Sequence, residues 1–373
     1  MLYWLVETFF AGMPGAGLVA YTSFRAAAAA VTAFLIGLLF GKPVIRWLSG
    51  AGIGEKVEKT DSQRLAELNH GKRGTPTMGG ILIVLALLVS GALWMRFDTF
   101  NRFSIWGLVL IAWFAGVGLL DDWIKLRVKG RKGLTSREKQ ALLTIGAVGI
   151  AVALVHVAGL EREHGGPKLW FPFFKDVGID LSGFVGIPFV LVAIVVLTGT
   201  ANAVNLTDGM DGLATGCTVF AAIAFAGICY FVGHERLSEY LLVRHVAGSA
   251  ELTVLMGALA GACLAFLWYN AAPALVFMGD VGSLALGGAL GYAALVSRTE
   301  LVLVVVGGVF VAEAVSVMLQ VLSFKTTGKR VLRCAPLHHH FQFGGMPETR
   351  IVARFWIVAG LLALSSLALF KVR

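Results

Sequence analysis

At 373 residues, with 57% hydrophobic and only 14% charged side chains, the chain has too little polar surface to coat a soluble globule. A mean hydropathy of +0.81 places it in a bilayer, and the net charge of +9 is gathered between the apolar runs. The four cysteines show no close CxxC spacing, which argues against disulfides and a thiolate metal site, and no removable signal peptide is expected at the start.

A spanning helix needs about 20 mostly apolar residues. Ten segments qualify, at 22–41, 77–95, 104–120, 140–159, 185–201, 212–232, 251–269, 274–296, 300–323 and 351–370. Loops after the odd-numbered helices carry most of the cations: Lys42 to Arg73 in the first, Lys125 to Lys139 in the third, Lys325 to Arg350 in the ninth. The positive-inside rule therefore sets these loops in the cytoplasm and both termini outside. Arg25 and a few scattered cations fall on the other side, as does the stretch from Glu161 to Gly183, expected to be a small ordered element away from the chemistry.

The polar signals collect on the odd loops. In the first, Lys72-Arg73-Gly74-Thr75-Pro76-Thr77-Met78-Gly79-Gly80 combines two cations with a flexible segment leading into a helix, a pattern able to hold phosphate or simply to anchor the loop. At the end of the third helix, Asp121 and Asp122 put adjacent carboxylates at the membrane boundary, with Lys125 three residues on. Such acids are expensive unless paired or bound to a cation, and hard oxygen ligands suit Mg²⁺ with substrate phosphates.

After the fifth helix comes Asn202-Ala203-Val204-Asn205-Leu206-Thr207-Asp208-Gly209-Met210-Asp211-Gly212-Leu213, a cytoplasmic connection without Lys or Arg. If it is helical, Asp208 and Asp211 share a face. After the seventh, Trp268-Tyr269-Asn270 and Phe277-Met278-Gly279-Asp280-Val281-Gly282-Ser283 isolate one acid, Asp280, in apolar sequence, the mark of a residue facing a cavity. Phe277 offers a stacking surface and Asn270 hydrogen bonds for a base, although packing is the commoner use of such an aromatic. The ninth loop carries Pro336-Leu337-His338-His339-His340-Phe341; consecutive histidines cannot all face one way, so a zinc site made of them alone is implausible, while one or two can contact phosphate or exchange protons.

In that order these motifs resemble the phospho-N-acetylmuramoyl-pentapeptide transferases, within the polyprenyl-phosphate N-acetylhexosamine-1-phosphate transferase superfamily, and the resemblance extends over essentially the whole chain. It implies an all-α polytopic membrane protein of about ten transmembrane helices in one domain, residues 1–373, with periplasmic termini and an active-site cleft on the cytoplasmic face of the bacterial inner membrane. The implied reaction moves phospho-N-acetylmuramoyl-pentapeptide from its UDP carrier to undecaprenyl phosphate, giving lipid I and UMP, with Mg²⁺ as cofactor. A homodimer in contact with membrane lipid is implied, and no nucleic-acid partner.

Carried over residue by residue, Asp280 looks like the principal metal ligand, with Asp121 and Asp122 helping to place the metal or deprotonate the lipid phosphate. Asp208 and Asp211 match the nucleoside pocket, with Lys72, Asn270 and Phe277 on uridine. Asn205 would lie beside the diphosphate, and His338, His339 and His340 near ribose and phosphates, His338 as a catalytic group. Thr75 and Lys125 complete the substrate-binding set. A sister enzyme using UDP-N-acetylglucosamine is the nearest rival, and a transporter with intramembrane acids is a more distant one; a transporter would place its acids at the bilayer midplane between symmetric halves.

Overall fold

The computed structural model describes residues 1–10, 12–51, 54, 74–97, 102–128, 130–157, 167–171 and 177–369. Lys72 lies outside the described residues. In hydrocarbon no water is present to satisfy backbone amides, so the apolar runs close their hydrogen bonds internally as helices. In chain order these are α1 (Leu2–Phe9), α2 (Thr22–Gly50), α3 (Gly80–Trp94), α4 (Arg102–Arg127), α5 (Ser136–Val152), α6 (Gly183–Thr207), α7 (Leu213–Val232), α8 (Glu235–Tyr240), α9 (Glu251–Asn270), α10 (Gly279–Val296), α11 (Glu300–Val306), α12 (Gly308–Thr327), α13 (Leu337–Phe343) and α14 (Glu348–Leu369).

Among the described residues nine helices are long and apolar enough to cross a membrane, and α3, equally apolar, has 15 residues. The chain is thus a polytopic helical membrane protein. Three boundaries depart from the sequence reading. The third spanning helix runs on to Arg127, so Asp121 and Asp122 sit inside its last turns and not at its end. The eighth starts at Gly279 because Ala271 to Met278 is used as a loop. The ninth is divided at Gly307 into α11 and α12, at the Gly-Gly pair where bending is expected. The fold is also not purely helical: β1 (Lys168–Trp170) and β2 (Gly178–Asp180) pair antiparallel in the connection between α5 and α6.

The core is built around α10, in which every residue from Asp280 to Val296 is buried. Its Gly- and Ala-rich sequence lets neighbouring helices come to backbone contact, the usual route to tight association where lipid offers no hydrophobic drive. Two such contacts position the chemistry. A Cβ on Gly118 of α4 would overlap the carbonyl of Asp280, and one on Gly80 of α3 would overlap the backbone of Gly282. The starts of α3 and α10 and the last turns of α4 are thereby pressed together at one end of the bundle.

The other end is tied differently. Arg25 of α2 is 1% exposed and forms a two-pronged pair with Glu251 of α9, at 2.6 and 2.5 Å, with a further bond to the Trp94 carbonyl at 3.1 Å. A charge read from sequence as a topology cation is therefore an internal crosslink. The β-hairpin belongs to this end: β1 packs on α11, which follows α10, and Trp170 lies under Arg244 with 4.5 Å from ring centre to guanidinium. The 18 residues of α10, about 27 Å at 1.5 Å per residue, separate this end from Asp280.

Candidate active site

Three carboxylates meet at the end of α4 and the start of α10. Asp121, Asp122 and Asp280 can each offer an oxygen such that all three lie within 4.8 Å of one another, and all three side chains are at least nine-tenths buried or close to it, at 1%, 4% and 9% exposure. Adjacent residues on a helix point about 100° apart, so Asp121 and Asp122 flank the incoming Asp280 from two directions. Asp122 accepts a hydrogen bond from the Val281 amide at 3.3 Å, and Asp121 from the Leu134 amide at 2.8 Å. Asn205 of α6 donates to Asp280 Oδ1 at 2.8 Å and to Ser283 Oγ at 2.8 Å, which fixes the rotamer of Asp280.

Three anions this close repel one another strongly, and two ammonium groups offset the charge. Lys125 Nζ lies 2.5 Å from Asp121, 2.9 Å from Asp280 and 3.3 Å from Asp122. Lys139 Nζ lies 2.5 Å from Asp280 and 3.5 Å from Asp121. Lys139 was not singled out in the sequence, where it reads as one more loop cation. The signal that places it is Thr135-Ser136-Arg137-Glu138, a capping box in which Thr135 Oγ1 accepts from the Glu138 amide at 3.2 Å and Glu138 accepts from the Thr135 amide at 2.8 Å. It starts α5 so that its first turn faces the acids.

The donor set fits a hard divalent cation: carboxylate oxygens only, on two helices locked by backbone contact. Asp121 Oδ2 is buried and makes no hydrogen bond, its close neighbour being the Lys125 ammonium.

Beside the carboxylates, the segment after α6 forms a turn and not a helix. Asp208 follows the last helical residue, Thr207, and Gly212 has φ +76, so Asp208 and Asp211 do not share a helical face. Asp211 is 6% exposed; it accepts from the Ala274 amide at 3.0 Å, and its own amide donates to Glu348 at 2.8 Å. Asp208 is half-buried. Asn270 is 3% exposed: Oδ1 accepts from the Gly212 amide at 3.0 Å and Thr215 Oγ1 at 3.4 Å, and Nδ2 donates to the Val276 carbonyl at 2.9 Å. Its amide is therefore spent on joining two loops, which differs from the uridine contact expected of it.

Phe277 is half-buried, and its backbone pairs with the first-loop motif, accepting from the Gly79 amide and donating to the Pro76 carbonyl, both at 2.8 Å. Thr75, also half-buried, precedes that pairing. The histidines diverge. His338 is fully buried beneath Gly209, His339 Nδ1 is 2.9 Å from Gln342 Oε1, and His340 Nδ1 accepts from the Arg333 amide at 3.2 Å. His338 thus stands behind the Asp208 turn, against Gly209 on one side and Glu313 on the other.

All the described motifs meet at this one end. A family model for glycosyl transferase family 4 matches residues 104–298, and signature 1 of the phospho-N-acetylmuramoyl-pentapeptide-transferases matches residues 72–84. Relatives named phospho-N-acetylmuramoyl-pentapeptide-transferase are 44% identical over 98% of this chain and 99% of the Methylacidiphilum infernorum protein, and 45% identical over the full length of both in Oleidesulfovibrio alaskensis. A third, from Granulibacter bethesdensis, is 46% identical over 95% of each chain. The chain belongs to the phospho-N-acetylmuramoyl-pentapeptide-transferase family. Within this transferase family fold, the matched signature enters α3 where Gly80 meets α10, and the broader match spans α4 to α10, which carry the three acids.

Proposed function

We propose that this protein transfers phospho-N-acetylmuramoyl-pentapeptide from its UDP carrier to undecaprenyl phosphate, forming lipid I and releasing UMP, at the cytoplasmic face of the bacterial inner membrane. The observation that carries this reading is the Asp121, Asp122 and Asp280 cluster with Lys125 and Lys139, set at the end of membrane-spanning helices. One substrate is a soluble anionic nucleotide and the other a lipid phosphate, so they can meet only at a membrane boundary. The cation-rich loops after the odd helices support a cytoplasmic assignment for that boundary and external termini.

In the reaction an oxygen of the lipid phosphate attacks the sugar-bearing phosphorus of the donor; a new P–O bond forms, the bond to the bridging oxygen breaks, and UMP leaves with that oxygen and its electron pair. Asp121, Asp122 and Asp280 would hold Mg²⁺, which when bound supplies positive charge to the diphosphate. Lys125 and Lys139 bring two further cations to the charge that spreads over the phosphoryl oxygens, and Asn205 keeps Asp280 aimed. Asp122, which shares Lys125 with the other two acids, is suited to take the proton of a monoprotonated lipid phosphate. Direct attack needs no covalent enzyme intermediate. Asp208 and Asp211 frame the nucleoside side of the site, with Phe277, Thr75, His339 and His340 around it; Lys72, outside the described residues, is assigned to uridine from its sequence motif alone. The quaternary arrangement we favour is a homodimer.

The deciding experiment measures UMP release by the purified protein in detergent with undecaprenyl phosphate, offering UDP-N-acetylmuramoyl-pentapeptide or UDP-N-acetylglucosamine, with and without Mg²⁺. Release with the first donor and Mg²⁺ is expected. Release with the second alone would overturn the donor assignment, and UMP exchange into the donor without lipid phosphate would overturn direct attack.

A further inference from the structure

We propose that Glu313 is a positioning residue for donor binding, acting through His338 on the turn that carries Asp208. Glu313 lies in the first half of α12, 0% exposed, in the part of that helix still packed on the bundle. A carboxylate buried at such a place destabilises the fold unless something compensates it. Among the described residues the compensation comes from His338. The backbone amide of His338 donates to Glu313 Oε1 at 3.1 Å and reaches Oε2 at 3.4 Å, and His338 Nδ1 lies 3.1 Å from Oε2, within ion-pair distance but out of line for a hydrogen bond.

The other edge of the same ring faces the turn. His338 is 0% exposed and its Nε2 has no hydrogen-bond partner among the described residues. It abuts Gly209 so closely that a Cβ there would overlap Nε2 and come within 3.0 Å of Cε1. Gly209 stands between Asp208 and Met210, in the turn assigned to the nucleoside side. Three parts are therefore stacked: a fixed carboxylate on α12, an imidazole at the start of α13, and a glycine with no side chain to hold the turn away. The carboxylate sets the ring, and the ring sets the height of the turn.

This differs from a general stabilising role, which would lower the amount of active protein and leave its affinity alone. It rests on the donor-site reading above, so wild-type activity with UDP-N-acetylmuramoyl-pentapeptide is measured first; its failure would count against that reading and not against Glu313. With the full chain in detergent, E313Q keeps one acceptor for the His338 amide and removes the charge. It is expected to raise the KM for the UDP donor about tenfold, with the KM for undecaprenyl phosphate and the Mg²⁺ requirement unchanged. In an H338N background the same E313Q change should add less than about twofold, since two residues acting as a unit are not additive. An unchanged donor KM, or full additivity with H338N, would overturn the proposal. Should E313Q not survive purification, G209A disturbs the stack from the other side, and an unchanged donor KM in that variant would overturn the proposal equally.

Discussion

Lys139 Nζ approaches Asp280 Oδ2 to 2.5 Å across 141 residues of sequence, and the same ammonium reaches Asp121 at 3.5 Å. It is the only cation on α5 recorded in contact with the acids among the described residues, and with Lys125 it brings two positive charges to a three-carboxylate cluster. K139M keeps the stem and removes the charge. We expect kcat to fall about 10²-fold, the scale of losing one preorganised electrostatic contact, with the thermal midpoint in detergent little changed. Steady-state UMP release alongside a melting curve checks this; retained kcat would remove Lys139 from the reaction.

Asp280 stands where both ammonium groups and Asn205 converge. D280N preserves the shape and an oxygen for Asn205 but loses the anionic ligand. Turnover should drop at least about 10³-fold and not return at raised Mg²⁺. Mg²⁺ titration of D280N against wild type is the measurement, and recovery at high Mg²⁺ would mean that Asp280 tunes affinity without being needed for the reaction.

At the opposite end, breaking the Arg25–Glu251 pair leaves a buried charge alone. Removing one partner of such a pair destabilises by about 3–5 kcal/mol. E251Q and R25M should each lower the thermal midpoint markedly, while the R25M/E251L double variant recovers most of the loss. Activity per folded molecule should stay near wild type in all three, because about 27 Å of helix lies between this pair and Asp280.

Asn270 separates two readings of one residue. If its amide joins the turn at Gly212 to the loop at Val276, N270A strands a buried N–H and a buried C=O, each worth about 1–3 kcal/mol. A lower melting point accompanied by a higher donor KM is the expected pair of results. A raised donor KM with an unaltered melting point would return Asn270 to direct contact with the base.

The acids were legible from sequence because a charge inside an apolar run has few structural excuses, and Asp121, Asp122 and Asp280 do converge. The helices were legible from apolar run length, but α10 starts later than hydropathy suggests because Ala271 to Met278 is apolar and still loop, stitched by Asn270 and by pairing of Phe277 with Pro76 and Gly79. Lys139 and Arg25 were not legible. Both look like topology charges, and only tertiary contact turns one into a site residue and the other into a crosslink. Glu313 is one polar residue inside an apolar run, and its partner is 25 residues away at the start of α13, whose place against α12 no periodicity reveals. The Asp208–Asp211 spacing would give a shared face only in a helix, and the chain turns there instead, with Gly212 at φ +76.

The bare Cα of Gly118 against the Asp280 carbonyl has a kinetic meaning. Two helices in backbone contact cannot slide past or rotate against each other without opening a gap, so the carboxylates behave as a stator. Lipid I and UMP are bulky, and clearing them requires something to move. That freedom is left to parts outside this contact, chief among them α12 beyond Ser316, where no residue is buried. Turnover limited by product departure would then respond to changes along α12 while the metal-binding geometry stayed constant.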